Sequence, residues 1–91
     1  MKLIASKTFI RDSRRFLKKN PQSAKSVKTT LSLLESDVFQ PQLKTHKLKG
    51  RLKNCWACSV EYDLRIVFEI VKDENEDAIL LQTIGKHDEV Y

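Results

Sequence analysis

The spacing of apolar residues changes along this chain from a helical period to a strand period, and this change restricts the possible folds. Between residues 24 and 38 apolar side chains recur every three or four positions, as on one face of an α-helix, at Ala24, Val27, Leu31, Leu34 and Val38. From Leu64 to Val71 a row of apolar residues alternates with a second row that contains Arg65 and Glu69, which is the two-residue period of a strand. A chain with both patterns predicts helices packed on a sheet.

The remaining segments give the predicted order of elements. Lys2 to Ala5 is short and apolar and predicts a first strand. A basic amphipathic helix follows from about Ser6 or Thr8, and Asn20-Pro21 ends it and caps the start of the second helix. Three further strands are predicted where β-branched and aromatic residues are frequent, at Cys55 to Glu61, Leu64 to Val71 and Ala78 to Ile84.

This order, β-α-α-β-β-β, predicts an α+β fold. We expect a small antiparallel sheet of about four strands, with both helices on one face and the other face partly open to a ligand. Ninety-one residues are enough for one domain spanning positions 1–91, and a two-domain enzyme is excluded. Residues 85–91 are expected to form a short tail after the last strand.

The sequence gives no sign of a membrane segment, a metal site or a cofactor. No stretch approaches the ~20 apolar residues of a membrane span, and the first five residues meet charge too early for a signal peptide, so we expect a cytoplasmic protein. Cys55 and Cys58 match C-x-x-C, but side chains three apart in a strand point to opposite faces. Only His46 and His87 could complete a zinc site, and neither has the spacing. Both cysteines are therefore interpreted as packing residues.

Charge is distributed very unevenly along the chain. Residues 1–53 hold 14 Lys and Arg against 3 Asp and Glu, whereas residues 54–91 hold 3 against 9. Such a surface suits a polyanion, because cations that neutralise phosphates gain free energy from counterion release. The densest cations surround Gly50 and predict a phosphate-binding loop, and these are Lys44, Lys47, Lys49, Arg51 and Lys53. An ordinary solvated basic surface is the alternative.

Two histidines, His46 and His87, are the side chains that titrate near neutral pH and could serve as general acid and base. Asp63, Arg65 and Tyr91 are further polar groups of the loops, the open face and the tail. The alternative, that both histidines are merely exposed polar residues, has equal weight at this point.

Three strings in this order resemble the RelE/ParE superfamily of bacterial toxins from type II toxin-antitoxin modules, and within it the YafQ-like branch. They are His46-Lys47-Leu48-Lys49-Gly50, Asp63-Leu64-Arg65-Ile66-Val67-Phe68 and Ile84-Gly85-Lys86-His87-Asp88-Glu89-Val90-Tyr91. Together with the order of elements, the likeness covers nearly the whole chain.

The resemblance implies a ribosome-dependent mRNA endonuclease in which a ribose 2′-hydroxyl attacks the adjacent phosphate without a metal ion. By matching position, His87 and His46 share the proton transfers, and Asp63 orients or assists one of them. Arg65 holds the phosphate, and Tyr91 stacks on a base or helps the leaving group. The resemblance also implies a cognate antitoxin that masks the basic surface.

The chain departs from the YafQ-like pattern at three positions. Ser59 replaces a further histidine, Leu64 replaces a tryptophan, and Thr83 replaces an arginine, so an altered nuclease is one expectation. Two alternatives remain: a ParE-like toxin that inhibits DNA gyrase by binding, and a nucleic-acid-binding module without activity. The histidine pair favours the nuclease, because a protein that only binds has no need of proton-transfer groups.

Overall fold

The fold was analysed in a computed structural model that describes residues 1–90, with the backbone only for Asp88 and Glu89. Its strands and α-helices follow the predicted order, with one additional strand, one additional α-helical turn and three short 3₁₀ turns. They are β1 (Lys2–Ala5), α1 (Lys7–Lys19), α2 (Ala24–Ser36), β2 (His46–Lys47), β3 (Trp56–Glu61), β4 (Leu64–Asp73), β5 (Glu76–Lys86) and α3 (His87–Val90).

The sheet has five strands in the order β1-β5-β4-β3-β2, and it is mixed rather than antiparallel throughout. β1 runs parallel to β5, while the other three pairs are antiparallel. The prediction of about four strands was therefore too low by one. The additional strand, β2, consists of two residues inside the segment predicted as a loop, and it is too short to show a strand period.

The end of α1 corrects one sequence interpretation. Ser6 caps the start of this helix, since its Oγ accepts a hydrogen bond of 3.0 Å from the amide of Phe9. Asn20 was predicted to cap the second helix, but its Nδ2 donates to the carbonyl of Phe16 at 3.0 Å. Asn20 therefore closes α1.

The second helix is shorter than its apolar spacing predicted. A 3₁₀ turn at Pro21–Ser23 precedes α2, and the helix ends at Ser36 because Asp37 adopts an extended conformation with φ −159° and ψ 104°. Val38 was placed on the helical face by its spacing, yet it lies in the following turn, where it is buried. An apolar residue after a helix can thus continue the helical period while packing from a loop.

The core lies between the helices and one face of the sheet. Phe9 and Leu34 from the helices pack in the same cluster as Ile66, Phe68 and Ile79 from β4 and β5. Arg65, Val67 and Glu69 alternate with this buried row and lie on the opposite face, as predicted. Burial of apolar side chains between the helices and this face is the main stabilising term for such a sheet.

Two backbone irregularities shape β5. The β4–β5 turn has positive φ at both Glu74 (53°) and Asn75 (72°), as a two-residue type I′ hairpin requires. Further along, Val67 pairs with Thr83 and Phe68 with Leu81, which leaves an extra residue in β5 and forms a β-bulge. The strand continues to Lys86, two residues beyond the predicted end, so the predicted tail is partly strand and partly α3.

Candidate active site

The chain's C-terminal turn meets the β3–β4 hairpin at one end of the sheet. The amide of His87 donates a hydrogen bond of 3.1 Å to the carbonyl oxygen of Asp63. The backbone of these two predicted site residues is therefore in direct contact, although 24 positions separate them in the sequence. The side chains of both are exposed.

Arg65 lies beside this contact and is partly buried. Its Nη1 donates to the carbonyl oxygens of Glu61 (3.0 Å), Tyr62 (3.0 Å) and Leu64 (3.2 Å). One guanidinium nitrogen thus closes the hairpin turn, and the positive charge is held at a fixed place on the sheet face away from the helices. Arg65 is both a structural part of the hairpin and a fixed cation.

His46 lies on β2, directly opposite Ala57, and its side chain is exposed. Its Nδ1 is 3.0 Å from the carbonyl oxygen of Lys44. In the tautomer that carries its proton on Nδ1, this contact is a hydrogen bond from the ring to the backbone.

The register of the sheet places His46 and Arg65 on the same face. His46 pairs with Ala57, and Ala57 pairs with Val67, which is two residues along β4 from Arg65. Two strand spacings and two residues along a strand separate their Cα atoms by about 12 Å. The two side chains thus project from the same face of the sheet.

The charge of this sheet face changes along β4. Glu69 lies two residues beyond Val67, and its carboxylate accepts a hydrogen bond from Nε2 of Gln82. A carboxylate repels phosphate, so an anionic ligand is favoured only at the end of the face that holds Arg65 and His46. The face is also less open than predicted, because Ala57, Val67 and Ala78 are buried on it.

The predicted phosphate-binding loop is an exposed basic segment. It runs from a 3₁₀ turn at Pro41–Leu43 through β2 to a second 3₁₀ turn at Gly50–Leu52, and Gly50 adopts a φ of +69°. All five predicted cations of this segment are exposed. A row of solvated cations beside His46 is suited to contact with a phosphate backbone.

A cleft of about 390 Å³ between α1, β5 and α3 was not predicted from the sequence. Asp12 and Thr83 face each other in its lining, and Thr83 Oγ1 donates to Asp12 Oδ2 at 2.6 Å. This hydrogen bond, with the nearby Arg11 and Arg15, lowers the pKa of Asp12 below its ordinary value, and the partial burial of the carboxyl opposes that shift. The sequence feature that could have pointed to this cleft is Asp12, the only acidic residue in a helix with six Lys and Arg.

The predicted packing role is confirmed for Cys58, which lies in the core, whereas Cys55 is partly exposed and outside the core cluster. Both are free thiols. Burial raises the pKa of Cys58 to about 12. Among the described residues, no group of three or more His, Cys, Asp or Glu is arranged to hold a metal ion. Tyr91 lies outside the described residues, so its predicted role stays a prediction.

Comparison with protein families identifies the chain. A family model described as the bacterial toxin of the type II toxin-antitoxin system, YafQ, matches residues 1–91. This chain belongs to the YafQ family of bacterial toxins. Comparison with curated proteins gives no match.

Solved structures of other toxins share the fold of this YafQ-family chain. A metal-bound toxin from Helicobacter pylori is 33% identical, with a TM-score of 0.74 and coverage of 100% of this chain and 99% of that one. YafQ from E. coli is 16% identical, with a TM-score of 0.80 and coverage of 99% and 97%. YafQ in the E. coli DinJ-YafQ complex is 17% identical, with a TM-score of 0.77 and coverage of 99% and 97%.

The part of the chain that the structure describes contains no helix both long and apolar enough to cross a membrane.

Proposed function

We propose that this YafQ-family toxin is a ribosome-dependent mRNA endonuclease of the cytoplasm that uses no metal ion. One observation carries the proposal: the cation Arg65 and the imidazole of His46 lie at one end of the same sheet face. The exposed basic segment lies beside them. His87 starts its helical turn at the same end of β4, next to Asp63. A metal-free cleavage of RNA needs two proton-transfer groups and a cation, and these residues supply them.

The proposed reaction is an in-line transfer within the RNA strand. One imidazole removes the proton of the ribose 2′-hydroxyl, and the oxygen attacks the adjacent phosphorus. Arg65 stabilises the added negative charge, and the second imidazole, in its protonated form, gives a proton to the departing 5′-oxygen. The products are a 2′,3′-cyclic phosphate and a 5′-hydroxyl. His46 and His87 share these two proton transfers, Asp63 orients or assists one of them, and Tyr91 stacks on a base or helps the leaving group.

We also propose that a cognate antitoxin covers the basic surface. The E. coli relative forms a complex with DinJ, and here residues 1–53 carry a net charge of about +11 from their Lys, Arg, Asp and Glu. An acidic partner would associate rapidly with such a surface because opposite charges steer the encounter.

Induction of the toxin without its antitoxin tests the proposed function. We expect growth arrest, and primer extension should show cuts in mRNA that is being translated. His87→Ala should abolish both effects, because it removes one of the two proton-transfer groups. Glu74→Gln, at the opposite end of β4, is the matched control and should remain toxic.

Two other results would reject the nuclease. Growth arrest with intact mRNA and a loss of DNA supercoiling would indicate a gyrase inhibitor. A folded protein that binds RNA but neither stops growth nor cuts mRNA would indicate a nucleic-acid-binding module.

A further inference from the structure

An aromatic pair lies next to the basic segment, at the β2 edge of the helix-covered sheet face and opposite His46, with Phe39 exposed and Trp56 partly buried against the core. Phe39 is 54% exposed, and its ring meets that of Trp56 edge to face, with centroids 5.2 Å apart and an interplanar angle of 73°. The Nζ of Lys47 lies 5.8 Å from the centroid of the Trp56 ring. We call these three residues, Phe39, Trp56 and Lys47, the aromatic platform.

The turn before β2 holds Phe39 in this exposed position. The amide of Phe39 donates to Asp37 Oδ1 at 3.1 Å, and Gln40 Nε2 donates to the carbonyl of Leu33 at 2.8 Å. Thr45 Oγ1 donates to the carbonyl of Val38 at 2.6 Å, while the Val38 side chain is buried. These hydrogen bonds hold the backbone of the turn in place, so that less conformational freedom is lost when a ligand binds to Phe39.

The register of β2 places the platform beside the predicted RNA contacts. Lys47 pairs with Trp56, whereas the preceding residue, His46, pairs with Ala57 and points to the other face. A strand of RNA that crosses this edge of the sheet would thus meet His46 on one face and the platform on the other. About 3.3 Å along β2 separates the two positions.

The charge around the platform favours RNA over an apolar partner. Asp37, whose carboxylate accepts from the Phe39 amide, is an acidic neighbour, whereas residues 38–60 contain no Asp or Glu and hold all five cations of the basic segment. Exposed aromatic rings flanked by cations are the usual means of gripping single-stranded nucleic acid, because bases stack on the ring while phosphates meet the charges. An acidic protein segment would satisfy the charges but not the exposed ring face.

We infer that the aromatic platform binds an unpaired base of single-stranded RNA by stacking on Phe39, with Lys47 and its basic neighbours on the adjoining phosphates. The inference rests on the proposed function, since it names a contact of the same substrate outside the reacting atoms. Phe39 is a binding residue and takes no part in the proton transfers.

The platform contains the chain's single tryptophan, which provides a direct measurement. We expect saturable quenching of Trp56 emission when a single-stranded RNA oligonucleotide is added at low salt. An RNA duplex of equal length should bind through charge alone and leave the emission unchanged, because its bases are already stacked in the helix. Unchanged emission at saturating single-stranded RNA would overturn the inference.

Variants of Phe39 test its role separately from folding. Phe39→Leu keeps an apolar side chain against Trp56 but removes the aromatic ring, and RNA affinity should fall at least about five-fold. Phe39→Tyr should bind as the parent does. Ile10→Ala is the matched control, because it shortens an exposed apolar side chain elsewhere, on α1. It should also leave RNA affinity unchanged.

The outcomes separate this inference from the proposed nuclease. An undiminished affinity of folded Phe39→Leu for RNA, or a loss of antitoxin affinity alone, would show that the platform is not an RNA contact. His87→Ala should lose cleavage and keep both RNA affinity and Trp56 quenching. A parent protein that shows Phe39-dependent quenching but cuts no mRNA would therefore reject the nuclease and support the platform.

Discussion

Thr83 and Asp12 form the hydrogen bond that joins α1 to the bulged part of β5, at 2.6 Å. Thr83→Val keeps the shape of the side chain but removes the donor, and we expect the free energy of unfolding to fall by about 1 kcal/mol at neutral pH. Thermal unfolding should show this as a drop of a few degrees in Tm. Thr29→Val, on the exposed side of α2, is the control and should change Tm much less.

The pH dependence of this loss follows from the lowered pKa of Asp12. A carboxyl whose pKa is depressed in the folded state adds stability that is fully present above its ordinary value of 3.8 and is lost as the pH falls through the folded-state pKa. The difference between parent and Thr83→Val should therefore shrink below pH 3.8. A difference that stays constant into that range would show that the bond does not favour the ionised carboxylate.

Cys58 makes a second prediction at the scale of one residue, in which stability is lost as the pH rises rather than as it falls. Burial raises the pKa of its thiol to about 12 in the folded protein, from an ordinary value of 9.0. Unfolding therefore releases a proton above pH 9, and this group should lower stability by about 1 kcal/mol for each pH unit up to 12. Denaturant unfolding of Cys58→Ala should lack this component, and an equal alkaline slope in both proteins would contradict the burial of the thiol.

At the scale of elements, the basic segment around β2 makes the third prediction. Replacing Lys47, Lys49 and Arg51 by glutamine should reduce the slope of log affinity against log salt by about 2 for single-stranded RNA, because each lost phosphate contact contributes about 0.7. Fluorescence-anisotropy titrations at several salt concentrations measure this slope.

The control for that experiment removes the same charge elsewhere. Lys18, Lys25 and Lys28 lie exposed on α1 and α2, and their replacement by glutamine also lowers the net charge by three. The slope should then stay near that of the parent. Equal effects of the two triple variants would show that total charge, rather than the basic segment, sets RNA affinity.

Local pattern was sufficient to predict the long elements but not the short ones. α1, α2, β3, β4 and β5 each contain enough residues to show a helical or alternating period, and the sequence placed them within a few positions. β2 has two residues and is defined by its pairing with Trp56 and Ala57. Two residues are too few to show a period, so the local sequence does not predict this strand. The end of α2 was overestimated for the same reason, since Val38 packs in the core from a turn.

At the scale of the whole molecule, the site residues could be named from the sequence, but their relations could not. The shared face of His46 and Arg65 depends on pairing across three strands. The contact of His87 with Asp63 joins the start of α3, after β5, to the turn between β3 and β4. The bond between Asp12 and Thr83 spans 71 positions. Such contacts follow from the register of the sheet, which a single sequence does not display.

The chemistry of the product ends tests the central claim most directly. Ribosomes require Mg²⁺, so chelation cannot separate a metal-free nuclease from a metal-dependent one on a translating ribosome, whereas the ends of the cut RNA can. Attack by the 2′-hydroxyl predicts a 2′,3′-cyclic phosphate or the 3′-phosphate derived from it, together with a 5′-hydroxyl, and His87→Ala should give neither. Cuts by the purified toxin that carry a 3′-hydroxyl and a 5′-phosphate would contradict the account, since water activated at a metal ion leaves those ends.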